Sequence, residues 1–240
     1  MTKNSNRVDH QGESGNVLFL ILIAVALFAA LSYAVTQSTR SGGGTSDNET
    51  SLINSAQLTQ YPAGVRTAVV RMIIGGTDVS NLEFNPPSDF QAGREAVEVF
   101  HPTGGGATYA NAPTEIMDVG GGNGGGTWVF NGENQINFIG TSDAGGPIQS
   151  SADLIAFLSG VTQSICNRIN SELGISGSIP VESGLDIATL MDDDNPSICD
   201  PTCAGGTIGG DITALDGQPY GCFRNGAAGP YVYYHVLVER

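Results

Sequence analysis

Polar and apolar positions divide the chain into sharply different stretches. From Val17 to Leu31 every residue is apolar, within the longer run GNVLFLILIAVALFAALSYAV that ends at Val35. Such a run has no polar face, so it does not describe a surface helix. At ~1.5 Å per residue it reaches ~28 Å, close to the ~30 Å hydrocarbon core of a bilayer. The pattern predicts a transmembrane helix over 16–35, preceded by a polar leader over 1–15 that has no period. Residues 36–50 include TQSTRSGGGTSDN, the composition of a flexible linker. Three-four spacing then returns at Leu58, Tyr61, Val65, Ala68, Val69, Met72 and Ile73, the mark of an amphipathic helix. Pro62 and Gly64 lie inside it and predict a kink or a division into two short helices. Gly75-Gly76 supplies the stop.

The remaining residues, within a head spanning 51–240, alternate between strand-like and helix-like patterns. Ala96-Val97-Glu98-Val99-Phe100 alternates as a strand does. TWVF, then Asn131-Gly132, then ENQINFI predicts a two-residue hairpin over 127–139, because Asn-Gly accepts the positive φ angles of a type I′ turn. Trp128 and Phe130 share one face in that reading. A helix is expected over 151–173, with Leu154, Leu158, Val161, Ile165 and Ile169 as its buried stripe, Ser150 and Asp153 at capping-box spacing, and Gly174 as its end. Tyr231 to Val238, YVYYHVLV, is aromatic and β-branched and predicts a strand. Val232, Tyr234, Val236 and Val238 should face one way, and Tyr233, His235 and Leu237 the other. Both sets are largely apolar, which places this strand in the interior of a sheet. The fold class is therefore α+β: one N-terminal transmembrane helix, then an extracytoplasmic domain with an antiparallel sheet, one or two packing helices and glycine-rich loops.

Composition adds direction to that picture. Glycine contributes 34 of 240 residues, charged residues make up only 14%, and the net charge is −15. Lys3 and Arg7 balance Asp9 and Glu13 before the apolar run, so the acidic excess lies beyond it. Lys3 is the only lysine, and the arginines are scattered, so no basic face exists for nucleic acid. The mild positive bias before the run orients the N-terminus toward the cytoplasm and the head toward the periplasm or exterior. All four cysteines, Cys166, Cys199, Cys203 and Cys222, fall in the last third. An even number in an exported context reads as two disulfides. Of the three connectivities, Cys199–Cys203 as a local clasp with Cys166–Cys222 as the long tie is favoured.

Candidate chemistry is sparse. There is no His-Glu-x-x-His, no Gly-x-Ser-x-Gly and no catalytic cysteine context, so an enzyme is not expected. The run Gly120 to Gly126 formally holds G-x-G-x-x-G, but a strand-like TWVF follows it instead of a helix, and no lysine is near. A phosphate cradle needs a helix N-terminus behind the glycines, so no nucleotide is expected. The strongest site candidate is the acidic stretch Asp192-Asp193-Asp194-Asn195 with Asp200. Its carboxylates are of the type that ligates calcium in flexible loops, although the Gly and closing Glu of an EF-hand loop are lacking. The plainer alternative is a solvated acidic turn. No cofactor is required by the sequence.

The order of parts resembles the type IV pilins and pseudopilins: a short polar leader ending in glycine, an apolar helix, an amphipathic continuation and a β-rich cysteine-bearing head. The GNVLFLILIAVALFAALSYAV helix, the SICNRINSELGI segment and the GCF…GPYVYYHVLVER ending look more closely like bacterial pilin-like envelope proteins. The resemblance implies cleavage after Gly15 that exposes Asn16, and packing of the apolar helix among like or related subunits. Pilins usually carry a glutamate at the fifth position after the cut; Leu20 stands there. The expected function is thus a single-pass inner-membrane structural subunit of an envelope or secretion assembly. The alternative is a signal-anchored or secreted binding module, with or without calcium. Small-x-small spacing at Ser32-Tyr33-Ala34 provides a competing cleavage point for the secreted form.

Overall fold

The computed structural model describes residues 14–118, 126–141, 152–194, 205–210 and 212–240, with side chains in the first helix from 18–36, 49–50 and 52 onward. The chain divides into two units, Met1–Glu49 and Thr50–Arg240. Helix α1 has the bounds Ser14–Ile74. Its backbone is helical across 36–50, where composition predicts a linker. Glycine in a helix costs about 1 kcal/mol relative to alanine, while each added residue contributes one hydrogen bond, so a short glycine run does not by itself end a helix. Nor do Pro62 and Gly64 divide the element. Pro62 is itself buried, and packing offsets the N–H it fails to bring to the ladder.

Within the second unit, α1 buries Ser55, Leu58, Pro62, Val65, Val69 and Met72. These positions alternate by three and four, the spacing that keeps one stripe against a neighbour. Beside them lie Tyr61, Ala68 and Ile73, so the stripe anticipated from spacing is the buried one. A second helix, α2 (Gln163–Glu172), buries Ile165, Cys166, Ile169 and Asn170. Leu173 closes it, and Gly174 at φ 77° turns the chain away.

The sheet is built from β1 (Val129–Ile136), β2 (Asp153–Ser159), β3 (Val181–Glu182), β4 (Thr207–Ile208), β5 (Tyr220–Asn225) and β6 (Tyr231–Val238). Their order is β3-β5-β6-β2-β1-β4. The four central strands pair antiparallel, and the two-residue edge strands β3 and β4 pair parallel with β5 and β1. The class is α+β, and the sheet is mixed, with parallel pairing confined to its edges.

Both faces are covered. On one face Leu154, Ala156, Leu158, Trp128, Phe130, Tyr233 and Leu237 pack with the α1 stripe. On the other, Ile155, Phe157, Ile136, Phe223, Val232, Tyr234 and Val236 form a second core. Strand β6 lies between β5 and β2 as its two apolar faces require. The alternation changes once. Leu154 pairs with Val238 and Ile155 with Val236, so β6 carries an extra residue at Leu237. That bulge turns Val238 to the side of Leu237, against the face expected from simple alternation.

Three local expectations are corrected. Asn131-Gly132 is not a hairpin turn, because both residues lie inside β1 at a register shift between Asn131 and Asn134. Their amides are used elsewhere: Asn131 Nδ2 donates to the Asp186 and Thr189 carbonyls (3.2 and 3.0 Å), and Asn134 Nδ2 donates to Asp186 O (2.6 Å). The expected helix over 151–173 is strand β2 followed by the shorter α2, separated at Gly160 with φ 86°. Residues 153–158 are buried throughout, so this strand has no polar face to reveal a period of two. Asp153 does not cap a helix; it accepts from Ile136 N (2.8 Å) and Arg240 N (3.0 Å). Ser150 lies outside the described residues. Finally, 96–100 forms turns with a single parallel bridge, Glu83 to Glu98, in place of a strand.

Candidate functional site

The first candidate is the apolar part of α1. Leu18–Thr36 has 19 residues, mean hydropathy 2.7, and no buried residue. It is long and apolar enough to cross a membrane, and a signal sequence has the same length and composition. Leu20 is 59% exposed, so the residue at the pilin glutamate position presents hydrocarbon outward. The Thr36 hydroxyl donates to Ser32 O at 2.6 Å, which satisfies it within the helix itself. Gly15 and Asn16 lie in helical backbone.

The second is the tie between α2 and β5. Cys166 and Cys222 form a disulfide with Cα atoms 5.3 Å apart, and both residues are fully buried. One turn further along α2, Asn170 grips the same strand: its Nδ2 donates to Cys222 O (2.8 Å) and its Oδ1 accepts from Cys222 N (3.0 Å). This two-point amide contact had no signal in the sequence beyond a polar residue on an apolar stripe. Cys199, Cys203 and Asp200 lie outside the described residues.

In the acidic stretch, Asp194 N donates to Asp192 Oδ1 (3.1 Å), a turn contact. Asp193 points the other way, and its Oδ1 accepts from Asn85 Nδ2 (3.2 Å). Among the described residues, no group of three or more His, Cys, Asp or Glu side chains is spaced to hold a metal.

Asn85 leads to a buried polar site that sequence patterning does not reveal. Glu83 and Glu98 sit side by side across their parallel bridge, each fully buried. Arg94 forms an ion pair with Glu83 Oε1. The hydrogen bond to Glu83 is the largest factor favouring the Arg94 charge, followed by the fields of Glu83, Asp193 and Glu98, so these groups are neighbours. Glu98 Oε1 accepts from Gln91 N (2.7 Å) and from Asn85 Nδ2 (3.5 Å). The second oxygens, Glu83 Oε2 and Glu98 Oε2, are buried without a hydrogen-bond partner. The backbone around Glu98 is held close by two glycines: a Cβ on Gly104 would lie 2.3 Å from Glu98 O, and one on Gly105 would lie 2.2 Å from Val99 O.

A cleft of about 460 Å³ lies between α1 and the segment 110–116, lined by Gln57, Tyr61, Asn111, Ile116 and Trp128 among others. The Tyr61 and Trp128 rings are 5.2 Å apart. Burial pushes the Tyr61 hydroxyl up to about 12, against a hydrogen bond from Ala110 N. Burial raises the Tyr233 and Tyr234 hydroxyls as well, and it displaces Asp153 and His235. Asp153 is raised to about 6, opposed by its two backbone donors. His235 is lowered to about 4, with the Arg66 charge adding to the effect, and shares a 3.0 Å hydrogen bond through Nδ1 with the Tyr233 hydroxyl. These groups are spread through the core and form no convergent acid–base pair. Comparison with protein-family models, curated proteins and solved structures finds no match.

Proposed function

We propose that the chain is a membrane-inserted, pilin-like structural subunit, oriented with its N-terminus in the cytoplasm and its disulfide-tied head in the periplasm or outside the cell. The observation that carries this reading is the 19-residue apolar stretch Leu18–Thr36, long and apolar enough to cross a membrane and bearing no buried residue among those described. Burying one large apolar side chain is worth about 1.5–3 kcal/mol, so a helix bearing ten or more of them needs hydrocarbon around it. Two environments supply it: the acyl chains of a bilayer and a bundle of like helices. Ala24, Ala26, Ala29 and Ala30 leave shallow positions at which two such helices approach closely. A subunit stored in the first environment and drawn into the second is the physical basis of a pilin. Leu20 in place of the usual glutamate removes the charge pairing to a neighbouring N-terminus, which suits a subunit at the end of an assembly better than one inside it.

Cysteines introduced singly from Ala24 to Ala30 in the full chain, oxidised in native membranes, test the association. Cross-linked species at positions recurring every three to four residues are expected. A protein that stays in the membrane but cross-links at none of these positions is instead a simple anchored binding module.

A further inference from the structure

We propose that Glu83 and Glu98 form a divalent-cation site, with Ca²⁺ as the ion that their chemistry favours. Arg94 pairs with Glu83, and Asn85 joins Glu98 to Asp193 beside them. Glu83 and Glu98 have no exposed surface. Arg94 is engaged on Glu83 Oε1, and Glu98 Oε1 is engaged by Gln91 N and Asn85. What remains are Glu83 Oε2 and Glu98 Oε2, both buried and both without a donor. A buried carboxylate oxygen without a donor has given up its hydration with nothing in return. Two of them on bridge-paired residues create a local negative field that an ion between them cancels directly.

The donor set selects the ion. Every group named here offers oxygen, with neither imidazole nor thiolate among them, which suits a hard cation. Magnesium held by one or two carboxylates keeps most of its waters in a near-ideal octahedron, which a fully buried pair does not accommodate, whereas Ca²⁺ takes six to eight oxygens in a flexible shell that carbonyls and water complete. The segment carrying Glu83 and the loop carrying Asp193 are already joined, since Phe84 N donates to Met191 O (2.9 Å) and Asn85 bridges Glu98 to Asp193. An ion here fastens the segment at 83–85, the loop at 86–98 and the acidic turn to one point. Arg94, whose side chain is 44% exposed, lies at the solvent side of the pair and competes for the same charge. This site differs from the expected one, Asp192-Asp193-Asp194 with Asp200, in placing the ion on the buried glutamates. It stands whether or not the first helix enters a membrane.

The test uses the full chain in detergent, stripped with EGTA, and follows thermal unfolding as CaCl₂ is added. A rise in Tm of about 5 °C or more is expected at roughly a hundredfold excess over the dissociation constant. Glu98→Gln should abolish the rise, and Asp194→Asn should leave it in place. Arg94→Gln keeps both carboxylates and removes their competitor, so its stripped form should melt lower and its rise with CaCl₂ should exceed that of the native chain. That variant decides the matter if Glu98→Gln does not fold. No rise in the native chain, an equal rise in Arg94→Gln, or a rise lost in Asp194→Asn but kept in Glu98→Gln overturns the proposal.

Discussion

Asp153 and His235 bind protons with opposite consequences for stability. Asp153 holds its proton more tightly when folded, to about 6 against 3.8. Its neutral form is favoured in the folded state, so its contribution is fully present below the unfolded value and is lost as pH rises through about 6. His235 is depressed to about 4 from 6.5. Its contribution is present above the unfolded value and is lost as pH falls toward about 4. Between these limits the two slopes oppose one another. Asp153→Asn removes one of them, so its stability relative to the native chain should rise between pH 4 and pH 6, by about 3 kcal/mol from the shift of about two units. Urea unfolding of the two proteins across that range measures it, and parallel curves would show that Asp153 keeps an ordinary acidity. Gly105→Ala places a methyl group against the Val99 backbone, a clash relieved only by moving the strap that holds Glu98. A loss of stability of about 2 kcal/mol or more is expected, read as a fall in the urea midpoint.

At the scale of elements, the contact of α2 with β5 is fastened twice, once by a covalent bond and once by an amide. Closing a loop across the 56-residue separation of Cys166 and Cys222 restricts the unfolded chain by about 4 kcal/mol. Replacing both cysteines by alanine should cost about that much. Asn170→Ala leaves Cys222 N and Cys222 O without the side chain that bonds both, and should cost about 2 kcal/mol even with the disulfide intact. Chemical denaturation of the two variants separates the contributions, and an Asn170→Ala protein of native stability would mean that the amide grip is redundant. The elements differ in how legible they were. The α1 stripe was readable because its period of about 3.6 runs for several repeats, and β6 because its residues are aromatic and β-branched throughout. Strand β2 was not, because it is buried on both faces and its Leu and Ala residues serve helices equally well. Asn131-Gly132 has the chemistry of a turn, but its asparagine is used to hold the 186–189 backbone. Glu83 and Glu98 could not be paired from sequence at all, since what joins them is a bridge between two irregular segments.

For the whole molecule, the governing contrast is between a helix whose apolar surface is uncovered and a sheet whose two faces are both covered. The second unit holds two buried apolar clusters, one on each face of its sheet. The apolar run of α1 is long and apolar enough to cross a membrane. The acidic excess lies beyond that run, and a surface of that sign repels anionic groups. The central claim is that this helix remains in the mature protein as its means of anchoring and assembly. N-terminal sequencing of the protein extracted from membranes tests that claim most directly. A first residue of Asn16 is the expected result. A first residue of Val35 would contradict it, because the apolar helix would have been removed.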